Sequence, residues 1–483
     1  MRRPALVVGA VVLLSVGYLT LDVADVVPGV ITRVPLATPT PSLTTPTVAA
    51  TTGPQPHAAP AGMPLAGTTT TAPLPTRAGL QTALRGLLSD ARLGASPAVV
   101  VRDAGTGAVL LDQSAATPHI AASTLKLLAA AAVDSVFPAG ATLTTKAVQG
   151  ATPDRLVLVA GGDTLLAPGA GDPASVAGRA GLGDLATRTA TALRAKGIGA
   201  VTLSVDLSYA PGPLVAPTWG SSYQPTGLTG AVSAIGLSTQ RAVPGRPGPA
   251  DPAKSARSAF ASALRTAGVT VAIDTTETTG TPGAGAAPRG APVYASVTSA
   301  PVGDQLALAL SDSDDALTET LARQAAYSRG VTGGFAPTGA WLRATLGTLG
   351  IDVTGLTAVD ASGLSREDVV TARMVSDVIA LGTGTRLPTF RATLRQLAIA
   401  GLSGSLATRF DDPKTQVAAG VVRAKTGTLT GVGALAGTLV TAEGRLLTFV
   451  VIANAVPSGL GTLRARDALD EFVATLAQCG CRA

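Results

Sequence analysis

The chain has 483 residues, of which 46% are hydrophobic and 14% are charged, and its formal net charge is +6. This length allows two or three domains, and the hydrophobic share is large enough for a packed core. The basic residues are mostly scattered arginines, without a basic run among aromatic side chains, so the composition gives no support to a nucleic-acid partner.

The N-terminal residues carry a pattern for export. Arg2 and Arg3 precede a nearly unbroken apolar run over 5–21, which is typical of a signal sequence. Because no convincing cleavage site follows, we predict an uncleaved signal anchor over 1–25, with a cleaved signal peptide as the alternative. Residues 26–77 are rich in Pro, Thr and Ala, which predicts a disordered linker. We therefore expect an exported protein, anchored at the extracytoplasmic face of the cell membrane or located in the cell wall or periplasmic space.

The first part of the main domain is predicted over 78–145. A helix is predicted over 80–93, and it is followed by a hairpin of two strands over 98–102 and 108–112. The hairpin leads into an Ala- and Leu-rich helix that begins near Ser123.

An insertion is predicted to interrupt the main domain over 146–293. There, short apolar runs alternate with Gly- and Pro-rich loops, which indicates a separate domain containing mainly strands, with a helix predicted over 259–267. The main domain is predicted to resume over 294–483. This second part is predicted to contain helices over 302–310, 316–327 and 464–477, and strands over 422–428, 434–440 and 446–453.

The stretch Ser123-Thr124-Leu125-Lys126 carries the first candidate chemistry. A serine and a lysine three positions apart lie on one face of a helix. A serine hydroxyl needs a base to become a nucleophile, and a buried lysine can be that base. Ser123 could instead be a helix cap beside a solvated lysine. The catalytic interpretation is favoured because leucines flank Lys126 in a chain that has only six lysines.

Other catalytic bases and metal ligands are scarce. The two histidines are His57, in the predicted linker, and His119. A Ser-His-Asp triad could use only His119, and the chain has no G-x-S-x-G motif. The two cysteines, Cys479 and Cys481, lie at the C-terminal end, where an oxidised pair would have no predicted function. A histidine-rich metal site is therefore excluded, and lysine is the predicted base.

Two further motifs share the chain with Ser123 and Lys126. Lys425-Thr426-Gly427-Thr428 lies on a predicted strand, where a lysine, two hydroxyls and a glycine would suit a substrate carboxylate. Ser311-Asp312-Ser313-Asp314-Asp315 precedes a predicted helix, where Ser and Asp are also common caps. Each motif alone is weak, and their order along the chain makes the set specific.

In these motifs the chain resembles the low-molecular-mass penicillin-binding proteins of the D-alanyl-D-alanine carboxypeptidase/endopeptidase family. That family carries Ser-x-x-Lys, Ser-x-Asn and Lys-Thr-Gly in this order, with a domain inserted between the first two. The resemblance implies an α+β fold of the penicillin-binding-protein/β-lactamase type, in which helices flank an antiparallel sheet. Further segments that resemble the family lie at 157–163, 360–366 and 401–406.

The resemblance implies a serine D,D-peptidase that cleaves the D-Ala-D-Ala bond or the D-Ala cross-links of peptidoglycan. It implies that Ser123 attacks the penultimate D-Ala carbonyl, Lys126 takes its proton, and Ser313 passes a proton to the leaving amine. The implied partners are peptidoglycan peptides and acylating β-lactam antibiotics, without a metal or organic cofactor. The implied substrate-binding residues are Asp315, Lys425, Thr426, Gly427 and Thr428, with an oxyanion hole formed by the N–H groups of Ser123 and Thr428.

The chain departs from the family pattern at Asp315, where the family has asparagine. The spacing to Glu319 and Leu321 matches the family in this register, whereas Ser311-Asp312-Ser313 would break it. A carboxylate cannot donate a hydrogen bond unless it is protonated, and it favours a charged Lys126, so we expect a slowed enzyme. Two alternatives stay open, namely a β-lactamase and a degenerate, non-catalytic cell-wall binding protein.

Overall fold

The computed structural model describes residues 72–274 and 286–482. The predicted anchor over 1–25 and most of the predicted linker over 26–77 lie outside these residues. Within the described part of the chain, no helix combines the length and the hydropathy needed to cross a membrane.

The described residues form ten α-helices and twelve strands. The helices are α1 Arg77–Leu88, α2 Leu125–Asp134, α3 Leu182–Ala195, α4 Pro252–Thr266, α5 Val302–Asp312, α6 Asp315–Ser328, α7 Phe335–Thr348, α8 Ala372–Thr383, α9 Pro388–Leu394 and α10 Gly461–Gln478. The strands are β1 Ala98–Asp103, β2 Val109–Gln113, β3 Pro118–Ile120, β4 Thr144–Gln149, β5 Arg155–Val159, β6 Ala200–Asp206, β7 Thr270–Ile273, β8 Val293–Thr298, β9 Val369–Thr371, β10 Val422–Leu429, β11 Val432–Val440 and β12 Leu446–Ala453.

The central sheet joins strands from both parts of the predicted main domain. Its order is β10-β11-β12-β1-β2, and all neighbouring strands are antiparallel. Helices α2 and α8 share one core with it, and α1 and α10 share the other. Because side chains alternate along a strand, Val100 enters the first core and its neighbour Val99 enters the second. The predicted fold class, an antiparallel sheet flanked by helices, is confirmed.

A second sheet is built by the section from Thr144 to Thr298. Its order is β7-β6-β5-β4-β8, with β5, β6 and β7 parallel and β4 antiparallel to both of its neighbours. Helices α3 and α4 pack on it around a core of their own. The predicted inserted domain, 146–293, falls within this section, although its boundaries stay a prediction.

Two local predictions differ from the structure. The single helix predicted over 80–93 ends at Leu88, and a separate 3₁₀ turn follows because the Asp90 carboxylate accepts the Arg92 N–H at 2.8 Å. Helix α3 was not predicted, since Ala and Thr occupy half of its buried positions and weaken the apolar pattern. The section predicted to contain mainly strands and a helix over 259–267 therefore contains two helices, α3 and the longer α4.

A third, two-stranded sheet brings a distant segment to the start of α2. Strands β3 and β9 pair antiparallel, with His119 opposite Val370. The Ala121 N–H donates to the Asp368 carbonyl at 2.9 Å, so the segment 360–368 lies beside Ser123. His119 contacts the carbonyl oxygens of Thr117 and Ser96 through its two ring nitrogens.

Candidate active site

Ser123 lies in the turn that leads into the central helix α2. This 3₁₀ turn spans Ala122–Thr124, and the N-cap of α2 is Thr124 rather than Ser123. Ala122 has a φ of 44°, in the left-handed region, which costs a residue with a Cβ about 1–3 kcal/mol. Gly363 packs against the turn so closely that a Cβ there would collide with the Ala122 carbonyl. The surrounding fold therefore holds Ser123 in a strained segment, which is common at active sites.

The Lys126 side chain is fully buried, with 0% exposure, as the flanking leucines predicted. Its Nζ lies 2.9 Å from Ser123 Oγ and 2.8 Å from the Ser362 carbonyl oxygen, and it forms an ion pair with the Asp315 carboxylate. An ammonium group has three N–H donors, so these three acceptors satisfy it. In its neutral form the same amine is placed to take the proton of Ser123.

The turn between α5 and α6 brings Ser313 and Asp315 to this lysine and to a second one. Ser313 has a φ of 59° between the two helices, and its Oγ accepts a hydrogen bond from Lys425 Nζ at 2.8 Å. Burial raises the pKa of Asp315, and the charge of Lys126 opposes that shift. The register that begins at Ser313 therefore places both motif residues at the cluster.

Lys425 is also fully buried, and its Nζ donates to the Thr426 carbonyl at 2.7 Å as well as to Ser313. Burial, reinforced by the charge of Lys126, lowers the pKa of Lys425 well below its ordinary value. A bound carboxylate would favour the charged form of Lys425. This lysine can therefore couple the binding of an anion to the uptake of a proton.

Gly427 allows strand β10 to lie directly against the Ser123 turn. A Cβ at this position would lie 3.0 Å from the Ala434 Cβ and 3.3 Å from the Ala122 Cβ. Thr426 Oγ1 donates to Ser405 Oγ at 2.9 Å. A cleft of about 470 Å³ runs along this strand, and its lining includes Ser123, Ser313, Asp315, Ser405, Thr426 and Thr428. Five of the eight predicted site residues therefore line this cleft. The other three, Lys126, Lys425 and Gly427, lie directly behind it.

Sequence reasoning assigned no role to the segment 360–368, whose Ser362 carbonyl contacts Lys126. Glu319, one turn after Asp315 on α6, accepts the N–H groups of Ala361 and Ser362, each at 2.8 Å. Asp360 accepts three backbone N–H groups of the same segment. The resemblance at 360–366 was the signal for this segment, but its contact with the lysine depends on the fold.

The buried Glu319 gives a prediction about stability and pH. Burial, reinforced by the Asp360 carboxylate, raises the pKa of Glu319 from 4.5 to about 8. Between these values the folded protein keeps a proton that the unfolded chain releases, so the free energy of unfolding falls as the pH rises. Glu319→Gln cannot ionise, so we expect its melting temperature to fall less than that of the wild type between about pH 5 and 8. If the melting temperatures of the two proteins fall equally over this pH range, the raised pKa is not that of Glu319.

Comparisons with known proteins identify the family of the chain. A sequence profile of the D-Ala-D-Ala carboxypeptidase 3 (S13) family matches residues 80–246 and 229–477. Carboxypeptidase DacB of Mycolicibacterium smegmatis is 35% identical over 416 residues, which are 85% of this chain and 86% of that protein. A D-alanyl-D-alanine carboxypeptidase of an Actinomadura species is 34% identical over 215 residues, which are 44% of this chain and 38% of that protein.

The fold is similar to that of a solved penicillin-binding protein. The crystal structure of penicillin-binding protein 4 from Haemophilus influenzae aligns with a TM-score of 0.64 at 17% identity, covering 84% of this chain and 99% of that one. At this identity the similarity establishes the fold, which is α+β and like that of penicillin-binding protein 4. The family profile and the DacB match both span most of the chain, and the chain belongs to the D-Ala-D-Ala carboxypeptidase 3 (S13) family.

Proposed function

We propose that this protein is a penicillin-binding serine D,D-peptidase that acts on peptidoglycan through an acyl-enzyme on Ser123. The single observation that carries the residue assignment is the buried Lys126 Nζ, which lies 2.9 Å from Ser123 Oγ. Family membership supports the reaction class, since the family is one of D-Ala-D-Ala carboxypeptidases.

In the proposed reaction, Ser123 Oγ attacks the carbonyl carbon of the penultimate D-Ala while its proton passes to Lys126 Nζ. The N–H groups of Ser123 and Thr428 hold the resulting oxyanion, a contribution of typically about 3–4 kcal/mol per donor. The C–N bond then breaks, and the leaving amine takes a proton through Ser313, which lies 2.8 Å from Lys425 Nζ. Water hydrolyses the acyl ester and restores the Ser123 hydroxyl.

The cleft also supports an assignment for the terminal carboxylate of the substrate. Lys425, Thr426 and Thr428 present two hydroxyls and an amine whose charged form a bound carboxylate would favour, and Gly427 lets their strand approach Ser123. If the group that follows the scissile bond is a free D-Ala, the enzyme is a carboxypeptidase. If that group belongs to a cross-linked peptide, the enzyme is an endopeptidase. One assay on a defined muropeptide, scored for D-Ala release and for cross-link cleavage, separates the two.

Acylation by penicillin tests the proposed function. Mass spectrometry of the folded protein after exposure to benzylpenicillin should locate an adduct of the intact drug on Ser123, and Ser123→Ala should carry none. An unmodified Ser123 in folded wild-type protein would refute the proposal. Steady turnover of nitrocefin would instead indicate a β-lactamase. Peptidoglycan binding that survives Ser123→Ala, without D-Ala release by the wild type, would indicate a non-catalytic binding protein.

We also propose that the N-terminal residues export the protein and hold it at the membrane. The charged Arg2 and Arg3 followed by the apolar run over 5–21 support this location. The same penicillin adduct, made with a fluorescent derivative, can be followed through cell fractions. Label in the membrane fraction is expected, and label confined to the cytosol would exclude export.

A further inference from the structure

Arg241 reaches the turn that carries Ser313 from a distant part of the chain. It lies in the long connection between β6 and α4, defined here as the segment 207–251. Its Nε donates to Asp314 Oδ2 and its Nη2 donates to Asp312 Oδ2, each at 2.9 Å. One guanidinium therefore bridges the two residues on either side of Ser313.

The bridge acts on a backbone in an unusual conformation. Ser313 has a φ of 59°, a conformation that few residues with a Cβ adopt. Asp314 Oδ1 accepts the Leu317 N–H at 2.9 Å and so caps α6, while Asp314 Oδ2 accepts from Arg241. The two oxygens of one carboxylate thus tie the turn to the helix on one side and to Arg241 on the other.

The bridge also balances charge beside the cleft. Asp312, Asp314 and Asp315 place three carboxyl groups within four positions, and Lys126 is the partner of Asp315. Arg241 is the cation bonded to the other two. The side chains of Arg241 and Asp314 are 22% and 13% exposed, so solvent screens this pair less than a surface pair. Without Arg241, two carboxylates would stand where an anionic substrate approaches.

The segment 207–251 is itself anchored to the catalytic region by a second contact. Trp219 Nε1 donates to Asp360 Oδ2 at 2.8 Å, and the Trp219 ring packs edge-on against Phe335. Asp360 belongs to the segment whose Ser362 carbonyl contacts Lys126. The segment that supplies Arg241 is therefore fixed relative to the turn that Arg241 holds.

We propose that Arg241 is a positioning residue, which holds Ser313 in its catalytic orientation through Asp312 and Asp314 and offsets their charge. This inference rests on the proposed function, in which Ser313 passes a proton to the leaving group. Arg241 acts through the two carboxylates and makes no covalent step of its own.

The test compares Arg241→Gln and Arg241→Lys with Arg246→Gln, an exposed arginine in the same segment. We expect Arg241→Gln to lower the rate constant for acylation by benzylpenicillin, and kcat for D-Ala release, about five- to tenfold, because two charge-assisted bonds are lost. The rates of Arg241→Lys should lie between those of the wild type and Arg241→Gln, since an ammonium keeps the charge but not the planar fork that spans both carboxylates. Arg246→Gln should match the wild type, and melting temperatures verify that every variant is folded.

Two further measurements separate positioning from general damage. Raising the ionic strength from about 0.05 to 0.5 M should recover part of the acylation rate in Arg241→Gln, since salt screens the two carboxylates once Arg241 no longer neutralises them. Arg241→Gln combined with Asp314→Asn, which can still cap α6, should be no slower than Arg241→Gln alone.

The outcomes distinguish this inference from the proposed function. Wild-type protein that penicillin does not acylate would refute both. An acylated wild type with an equally fast, folded Arg241→Gln variant would refute only the role of Arg241. The role of Arg241 would also be refuted if the double variant is slower than Arg241→Gln by the full effect of Asp314→Asn alone, because Arg241 would then act independently of Asp314.

Discussion

Replacing Lys126 with methionine should slow the acylation of Ser123 by benzylpenicillin about 1,000-fold, within the range that general bases typically contribute. Nζ is the basic group 2.9 Å from Ser123 Oγ, and methionine fills a similar volume without a nitrogen. The second-order rate constant of acylation, followed by the accumulation of the adduct, measures the effect. A folded Lys126→Met variant that acylates at the wild-type rate would show that another group takes the proton.

The stability of this variant needs its own control. Lys126→Met leaves the buried Asp315 carboxylate without its ion-pair partner, which typically costs about 3–5 kcal/mol of stability. Adding Asp315→Asn removes the second charge, so the double variant should regain much of the lost free energy of unfolding. It should regain none of the acylation rate. A double variant that recovers both would mean that Lys126→Met is slow because it misfolds.

Replacing Asp315 with asparagine should speed the acylation of Ser123 by penicillin at pH 7 about 10- to 100-fold, corresponding to roughly 1.4–2.8 kcal/mol. The Asp315 carboxylate pairs with Lys126 Nζ and so favours the ammonium, which cannot take a proton from Ser123. Asparagine has no charge, and its amide also supplies a donor that an ionised carboxylate lacks. Glu367→Gln, which removes an exposed carboxylate from the segment 360–368, is the matched control and should leave the rate unchanged.

The pH dependence of acylation tests the same account of Asp315. The pH dependence of the acylation rate should differ between the wild type and Asp315→Asn, because burial raises the pKa of the Asp315 carboxyl and asparagine does not titrate. A folded Asp315→Asn variant that acylates more slowly would contradict this account. Asp315 would then contribute to catalysis directly, for example as the protonated acid that its burial favours.

Several contacts of the site could not be predicted from sequence. The Ser362 carbonyl accepts a hydrogen bond from Lys126, which lies 236 positions away in the chain. Because every residue has a backbone carbonyl, the sequence does not indicate which one contacts the lysine. Arg241 lies 73 positions before Asp314, in a connection without periodicity, so its partner depends on where that connection packs. Glu319 was noted only for its spacing from Asp315, whereas its role comes from the two N–H groups that it accepts.

Local sequence patterns were enough to predict the family, the α+β class and the nearness of Ser123 to Lys126. A serine and a lysine three positions apart on a helical segment are neighbours in almost any fold, and the apolar runs over 434–440 and 446–453 predict the hairpin that follows the Lys425 strand. The folded structure was needed to show which carboxylate contacts Lys126, which cation binds the Ser313 turn, and how deeply both lysines are buried. Those properties arise when the sheet joins the two ends of the chain around α2, and local sequence does not specify such long-range packing.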